Sequence, residues 1–157
     1  MKKSLVPIAL AFALIAVAPA AFGNASGTLT LNSSVAANCT ISNATLNFGP
    51  YDPVVTNAAT PLDGSTTMTV ACTKGFIPTI GIPAAGRTIT HGADTLTYEL
   101  YTDSPGGTVW GEGAALFTPP SAPGKGGTAY TIYGRIPGGL DVGVGAYTGT
   151  ILVTVNF

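Results

Sequence analysis

A chain of 157 residues with six basic and seven acidic side chains carries a formal net charge of −1, which leaves no basic patch to neutralise phosphates and excludes a nucleic-acid binder. Charged residues make up 8% of the chain, against roughly 25% in a typical soluble domain. The 21 glycines and 12 prolines would interrupt any long helix, and the length suits one domain with its own core.

The chain opens as an export signal. Lys2 and Lys3 supply the positive start, Leu5 to Val17 the apolar stretch, and Ala21-Phe22-Gly23 the small-residue cleavage site. The apolar run is broken by Pro7 and Pro19 and falls short of the roughly 20 residues that span a bilayer, so residues 1–23 are expected to be removed, without stable membrane insertion. The remainder, from Asn24, keeps Lys74, Arg87, Lys125 and Arg135 against the seven acids, a formal charge of −3.

The first mature segment places Leu29, Leu31, Ser33 and Val35 on one face and Thr28, Thr30, Asn32 and Ser34 on the other. Small residues, Ala36-Ala37-Asn38, join it to the rest, so it could extend away without disturbing a core. Further strands are expected at Cys39 to Ser42, Thr45 to Phe48, Thr66 to Cys72, Phe76 to Ile82, Thr95 to Thr102 and Ala129 to Ile136. Pro50 to Pro53, Asp63-Gly64, Ser104 to Gly107, Pro119 to Gly127 and Pro137 to Gly139 carry turn or loop chemistry. The last stretch, Tyr147 to Phe157, alternates to the end of the sequence, with Ile151, Val153, Val155 and Phe157 on its apolar face. An apolar strand without a successor leaves an edge that invites another chain.

Short strands separated by turns predict an all-β domain, either two antiparallel sheets in an immunoglobulin-like sandwich or a closed barrel. The unfinished last strand fits the sandwich better. Cys39 and Cys72 lie in an exported chain, where oxidation is permitted, and are expected to pair. A metal site is not expected, because His91 stands in a turn-like stretch without a ligand-spaced companion.

The runs Asn38-Cys39-Thr40-Ile41, Leu46-Asn47-Phe48-Gly49 and Thr69-Val70-Ala71-Cys72, with the ending Gly145 to Phe157, resemble the spore coat protein U domain. That family includes subunits of the archaic, Csu-type chaperone-usher pili. The resemblance covers Gly27 to Phe157 and implies an incomplete immunoglobulin-like β-sandwich of pilin type, completed by a donor strand from a neighbouring subunit. It implies a donor extension and linker over residues 24–37, with Leu29, Leu31, Ser33 and Val35 as anchors, and a sandwich domain over 38–157. Ser33 stands where a larger apolar group would be expected. The acceptor groove would be edged by Ile151, Val153, Val155 and Phe157, with the strand from Cys39 as the opposite border. The implied partners are a periplasmic chaperone, an outer-membrane usher and identical subunits in a head-to-tail fibre, exported through the periplasm to the cell surface for adhesion or biofilm formation. Room for one mature domain favours a shaft subunit over a tip adhesin, and a spore coat structural protein is the family's other role.

Enzymatic function finds little support. No Ser-His-Asp set is recognisable, and a glycosidase pair would have to bring Asp94 or Glu99 to Asp103. Neither catalytic residues nor a cofactor are expected; Gly124-Lys125-Gly126-Gly127 lacks the spacing and the strand-to-helix setting of a phosphate loop. A rival of another class is a secreted carbohydrate-binding module, with Trp110 and tyrosines such as Tyr51, Tyr98, Tyr101, Tyr130 or Tyr133 as a sugar platform. It would require several of these rings exposed and coplanar.

Overall fold

The computed structural model describes residues 22–157, so the expected export signal lies, but for its last two residues, outside the described residues. Residues 22–34 and 35–157 form separate units. The first has no strand among its described residues. The expected strand Thr28 to Val35 is therefore not formed within this single chain, because a period-two pattern makes a strand only where a ladder partner exists.

In the second unit the eight strands are β1 (Cys39–Ile41), β2 (Leu62–Cys72), β3 (Thr79–Gly81), β4 (Thr88–His91), β5 (Asp94–Thr97), β6 (Glu99–Tyr101), β7 (Thr128–Ile136) and β8 (Thr154–Asn156). A single 3₁₀ turn, Gly113–Ala115, is the one helical element of the described residues. One antiparallel sheet has the order β1-β2-β7-β6, β3 pairs with β8, and β4 pairs with β5 as a hairpin.

The backbone of the domain is β2 against β7, nine residues in register from Leu62 opposite Ile136 to Val70 opposite Thr128. In β2 the even positions turn inward, ending in buried Met68, Val70 and Cys72, while Asp63, Ser65, Thr67 and Thr69 face out. Ile132, Gly134 and Ile136 form the inward set on β7. Asp63-Gly64, expected as a turn, lies inside β2. Its carboxylate meets Arg135 on the facing strand, with Arg135 Nε to Asp63 Oδ1 at 2.6 Å and Nη2 to Oδ2 at 2.9 Å, and Gly64 pairs with Gly134. Cross-strand pairing overrides the local turn signal there. The bidentate pair holds the Asp63 carboxyl below its ordinary range.

Three other expectations change in detail. Thr45 to Phe48 forms no ladder; Leu46 and Phe48 lie over Gly134, where a Cβ would run into both side chains. Thr95 to Thr102 is broken at Tyr98, whose N–H donates to the Arg87 carbonyl at 3.0 Å; β5 before it joins β4 and β6 after it joins β7. The strand expected from Phe76 narrows to Thr79–Gly81, and β4, with Ile89 as its sole apolar residue, has too little pattern to be read in advance.

Between the sheets lie Met68, Val70, Cys72, Ile80, Ile82, Leu100, Trp110 and Ile132. Trp110 is buried, donates Nε1–H to the Ile80 carbonyl at 2.9 Å and packs on Phe117, which in turn meets Tyr130 edge-on. One ion is also inside: Arg87 donates Nε to Pro83 O at 2.8 Å and Nη2 to Ile82 O at 3.1 Å and to Trp110 O, and pairs through Nη1 with Glu99.

Cys39 and Cys72 stand directly opposite each other in the β1–β2 ladder and are joined by a disulfide. Their separation of 33 residues makes the bond worth about 3 to 4 kcal/mol in the chain-entropy picture. Replacing both cysteines by serine is expected to lower the unfolding free energy by about that amount, read as the denaturation midpoint of the oxidised protein and the variant.

Candidate strand-acceptor seam

Among the described residues, the C-terminal segment is paired through its backbone along one edge only. Thr148 exchanges both backbone hydrogen bonds with Thr90 of β4, at 3.0 and 3.2 Å, and Thr154–Asn156 pairs with β3. By the two-residue period of a strand, residues in step with Thr148 aim their backbone groups toward β4 and β3. Gly149, Ile151, Val153 and Val155 aim theirs the other way. The partner strand confirms the phase at one point, since Ile80, opposite Val155, spends its own N–H and C=O on Phe117 at 2.8 and 2.9 Å.

On that second edge the segment has no ladder partner among the described residues. β1, an edge strand of the other sheet, comes within 8 Å of β8 between Cα atoms without pairing to it. Two strands flanking a third in one sheet stand about 9.6 Å apart, twice the inter-strand spacing. The seam would therefore have to widen for a strand to be laid in it along its full length.

The side chains along the seam are partly covered. Ile151, Val153 and Val155 are half-buried and pack against the core, whereas Phe157, expected with them, is 59% exposed. Leu29, Leu31 and Val35 are each about four-fifths exposed, and Ser33 is exposed too.

The residues considered for other chemistry are committed elsewhere. The Asp103 carboxylate accepts from Ser104 N at 2.7 Å, Thr108 N at 2.8 Å and Thr108 Oγ1 at 2.9 Å, bonds that fix a loop and hold its pKa down. Asp94 accepts from Gly143 N at 3.0 Å, and Glu99 pairs with Arg87. Trp110 and Tyr101 are buried, the Tyr51 hydroxyl is bonded at 3.0 Å to Pro137 O and to Leu140 N, and the Trp110, Phe117 and Tyr130 rings are tilted rather than coplanar. Among the described residues no cluster of His, Cys, Asp or Glu could hold a metal ion.

The model of the spore coat protein U domain matches residues 25–154, which include the anchors Leu29 to Val35 and the C-terminal segment as far as Thr154. The chain belongs to that family. Over its whole length this spore coat U domain chain is 31% identical to Protein U of Myxococcus xanthus, covering 98% of that protein. In structure it is similar to one chain of the CsuC–CsuE chaperone–tip adhesion subunit pre-assembly complex from the archaic chaperone-usher Csu pili of Acinetobacter baumannii. That match has a TM-score of 0.53 at 20% identity and covers 78% of the present chain. The chain spans 40% of the length of that solved relative, and the likeness places the fold with immunoglobulin-like sandwiches of pilin type.

Buried Arg87 and the narrow seam were not foreseen. An arginine preceded by Pro83-Ala84-Ala85-Gly86 looks like a surface turn in sequence. Its burial draws on the carbonyl of Trp110, 23 residues on, which no local pattern announces.

Proposed function

We propose that this protein is a structural subunit of a chaperone-usher fimbria, a shaft pilin that polymerises by donor-strand exchange. The carrying observation is the unpaired edge of Ile151, Val153 and Val155, half-buried side chains whose outward backbone groups have no ladder partner among the described residues. The same chain owns a segment whose two-residue alternation puts Leu29, Leu31 and Val35 on one face. A segment of that kind added to such an edge recovers backbone bonds while alternate side chains enter pockets, the β-augmentation mode of recognition. Donor and acceptor are different surfaces of one chain, so their contact is heterologous and propagates as a fibre instead of closing as a dimer.

In the cell the seam would first be protected by a periplasmic chaperone, and at an outer-membrane usher by the arm of the next identical subunit. The fibre would carry adhesion or biofilm formation at the surface. A second role has one observation in its favour, the full-length similarity to Protein U in a family named for the spore coat. The same exchange would then build a coat layer rather than free filaments. Shearing the surface of producing cells, imaging the released material and identifying its subunit by mass spectrometry tests both. Thin filaments made of this chain are expected; the chain recovered only in an amorphous coat fraction would refute the fimbrial role.

A further inference from the structure

A fibre joined by exchanged arms also brings folded bodies together, and the topology decides which ends meet. The body has two poles. At the near pole the arm leaves: Asn38 N donates to Thr73 Oγ1 at 3.1 Å, Thr73 N donates to Asn38 O at 2.9 Å, and Thr73 Oγ1 donates to Ala36 O at 3.1 Å. Strand β2 ends there, with Cys72 N on Gly124 O at 3.0 Å, and Lys125 shares a shallow hollow with Asn38 and Thr73. At the far pole β2 begins and β7 ends. The Tyr51 hydroxyl and Gly139 N, which donates to Asn57 O at 2.8 Å, tie the loop after residue 50 to the loop after β7. Asp94, in the β4–β5 hairpin, holds Gly143 of the latter loop.

The C-terminal segment runs from the far pole, where Tyr147 follows that loop, to the near pole, where Asn156 pairs with Thr79. An incoming arm laid parallel to it would bring Val35 to the near pole and set the donor's body on the acceptor's own arm exit, which blocks growth. Only antiparallel addition delivers Val35 to the free far pole, and antiparallel pairing is also slightly the more stable. From Val35 the linker Ala36-Ala37-Asn38 spans about 10 Å when extended. The near pole of one copy thus comes within side-chain reach of the far pole of the next.

The two poles match in charge and in surface. With Arg87 paired to Glu99 and Arg135 to Asp63, the remaining cations of the described residues, Lys74 and Lys125, are both at the near pole. Asp52, Asp94 and Asp141 are at the far pole. Apolar side chains are presented there without cover: Val54 is 81% and Val55 76% exposed, and Val144 is fully exposed. The two neighbouring valines stand on a braced loop, because the Asp52 carboxylate accepts from Val54 N, Val55 N and Thr56 N at 3.0, 3.1 and 3.3 Å. At the near pole Ile77 is 47% exposed.

We propose that the far-pole loops carrying Val54, Val55, Val144 and Asp141 are a second interface, whose occupant is the near pole of another copy of this chain, bearing Lys74, Ile77 and Lys125. This rests on the arm-exchange reading, and its test separates the two. Fibres of the Val144→Cys, Ile77→Cys double variant are oxidised and boiled in detergent, with each single variant as control. Most of the double variant should run as a ladder of oligomers that collapses on reduction, and neither single variant should. Polymers that form normally yet give no ladder overturn the second interface while leaving arm exchange intact. Absence of polymer from the unmodified chain refutes arm exchange and the second interface with it. Charge supplies an independent arm: Lys74→Glu with Lys125→Glu should polymerise several-fold more slowly at low salt and regain rate when Asp141→Lys is added. Unchanged kinetics in the double reversal would also count against the contact.

Discussion

Deletion of Asn24 to Val35 is expected to yield a body that still binds its chaperone and forms no fibres. The removed segment contributes three apolar side chains, Leu29, Leu31 and Val35, each worth roughly 1.5 to 3 kcal/mol when fully buried. Each backbone hydrogen bond recovered along the seam adds about 1 kcal/mol net. Against these stand the association and ordering costs, which are common to every arm and do not rescue one without anchors. The acceptor edge at Ile151, Val153 and Val155 is untouched by the deletion, so chaperone capture should persist. Leu31→Asp should give the same defect in milder form, since one buried anchor becomes a carboxylate while the backbone ladder stays possible. Co-purification with the chaperone and electron microscopy of the surface fraction read both outcomes, and continued fibre growth by the deletion variant would exclude this segment as donor.

Arg87→Ala is expected to destabilise the body by about 1 to 3 kcal/mol for each buried carbonyl that it leaves without a donor. The guanidinium is 3% exposed on its side chain and serves the carbonyls of Ile82, Pro83 and Trp110 as well as Glu99. Burial pulls its pKa below the ordinary arginine value, with Tyr98 and Tyr101 acting in the opposite direction. Those carbonyls close the turn before β4 onto the strand ends around Trp110, so the loss should spread to the hairpin that holds Thr148. Glu99→Gln should cost less, because the Glu99 side chain is 40% exposed and water can replace much of its role. Thermal unfolding of the monomeric body checks the ranking; equal midpoints for Arg87→Ala and Glu99→Gln would show that the carbonyl contacts contribute little.

Much of this architecture was legible where the two-residue period was strong. Thr66 to Cys72 and Ala129 to Ile136 were expected as strands, and their alternate residues Met68, Val70 and Cys72, and Ile132, Gly134 and Ile136, are buried together. What could not be seen depends on partners far along the chain. Asp63-Gly64 has the composition of a turn, but Arg135 and Gly134 lie opposite and draw it into a ladder. Tyr98 lies within an alternating run, but its N–H is taken by Arg87, and the strand divides there. The alternation of Leu29, Leu31, Ser33 and Val35 was legible as pattern, yet a pattern is not a strand until another backbone answers it. At the other end the alternation named the apolar face of the seam, but not its width, which depends on how β1 and β8 come to rest within 8 Å.

The position of the one covalent cross-link matters for a chain that is pulled. Strand β1 is three residues long, and by itself so short a ladder would peel away under tension arriving from the arm. Tension entering at Asn38 instead meets a sulfur bridge at the very next residue and passes into Cys72, the end of the eleven-residue strand β2. From there it is shared with the nine paired rows of β7. The weakest mechanical link of a filament made from such bodies would then be the borrowed strand, not the body that lends it.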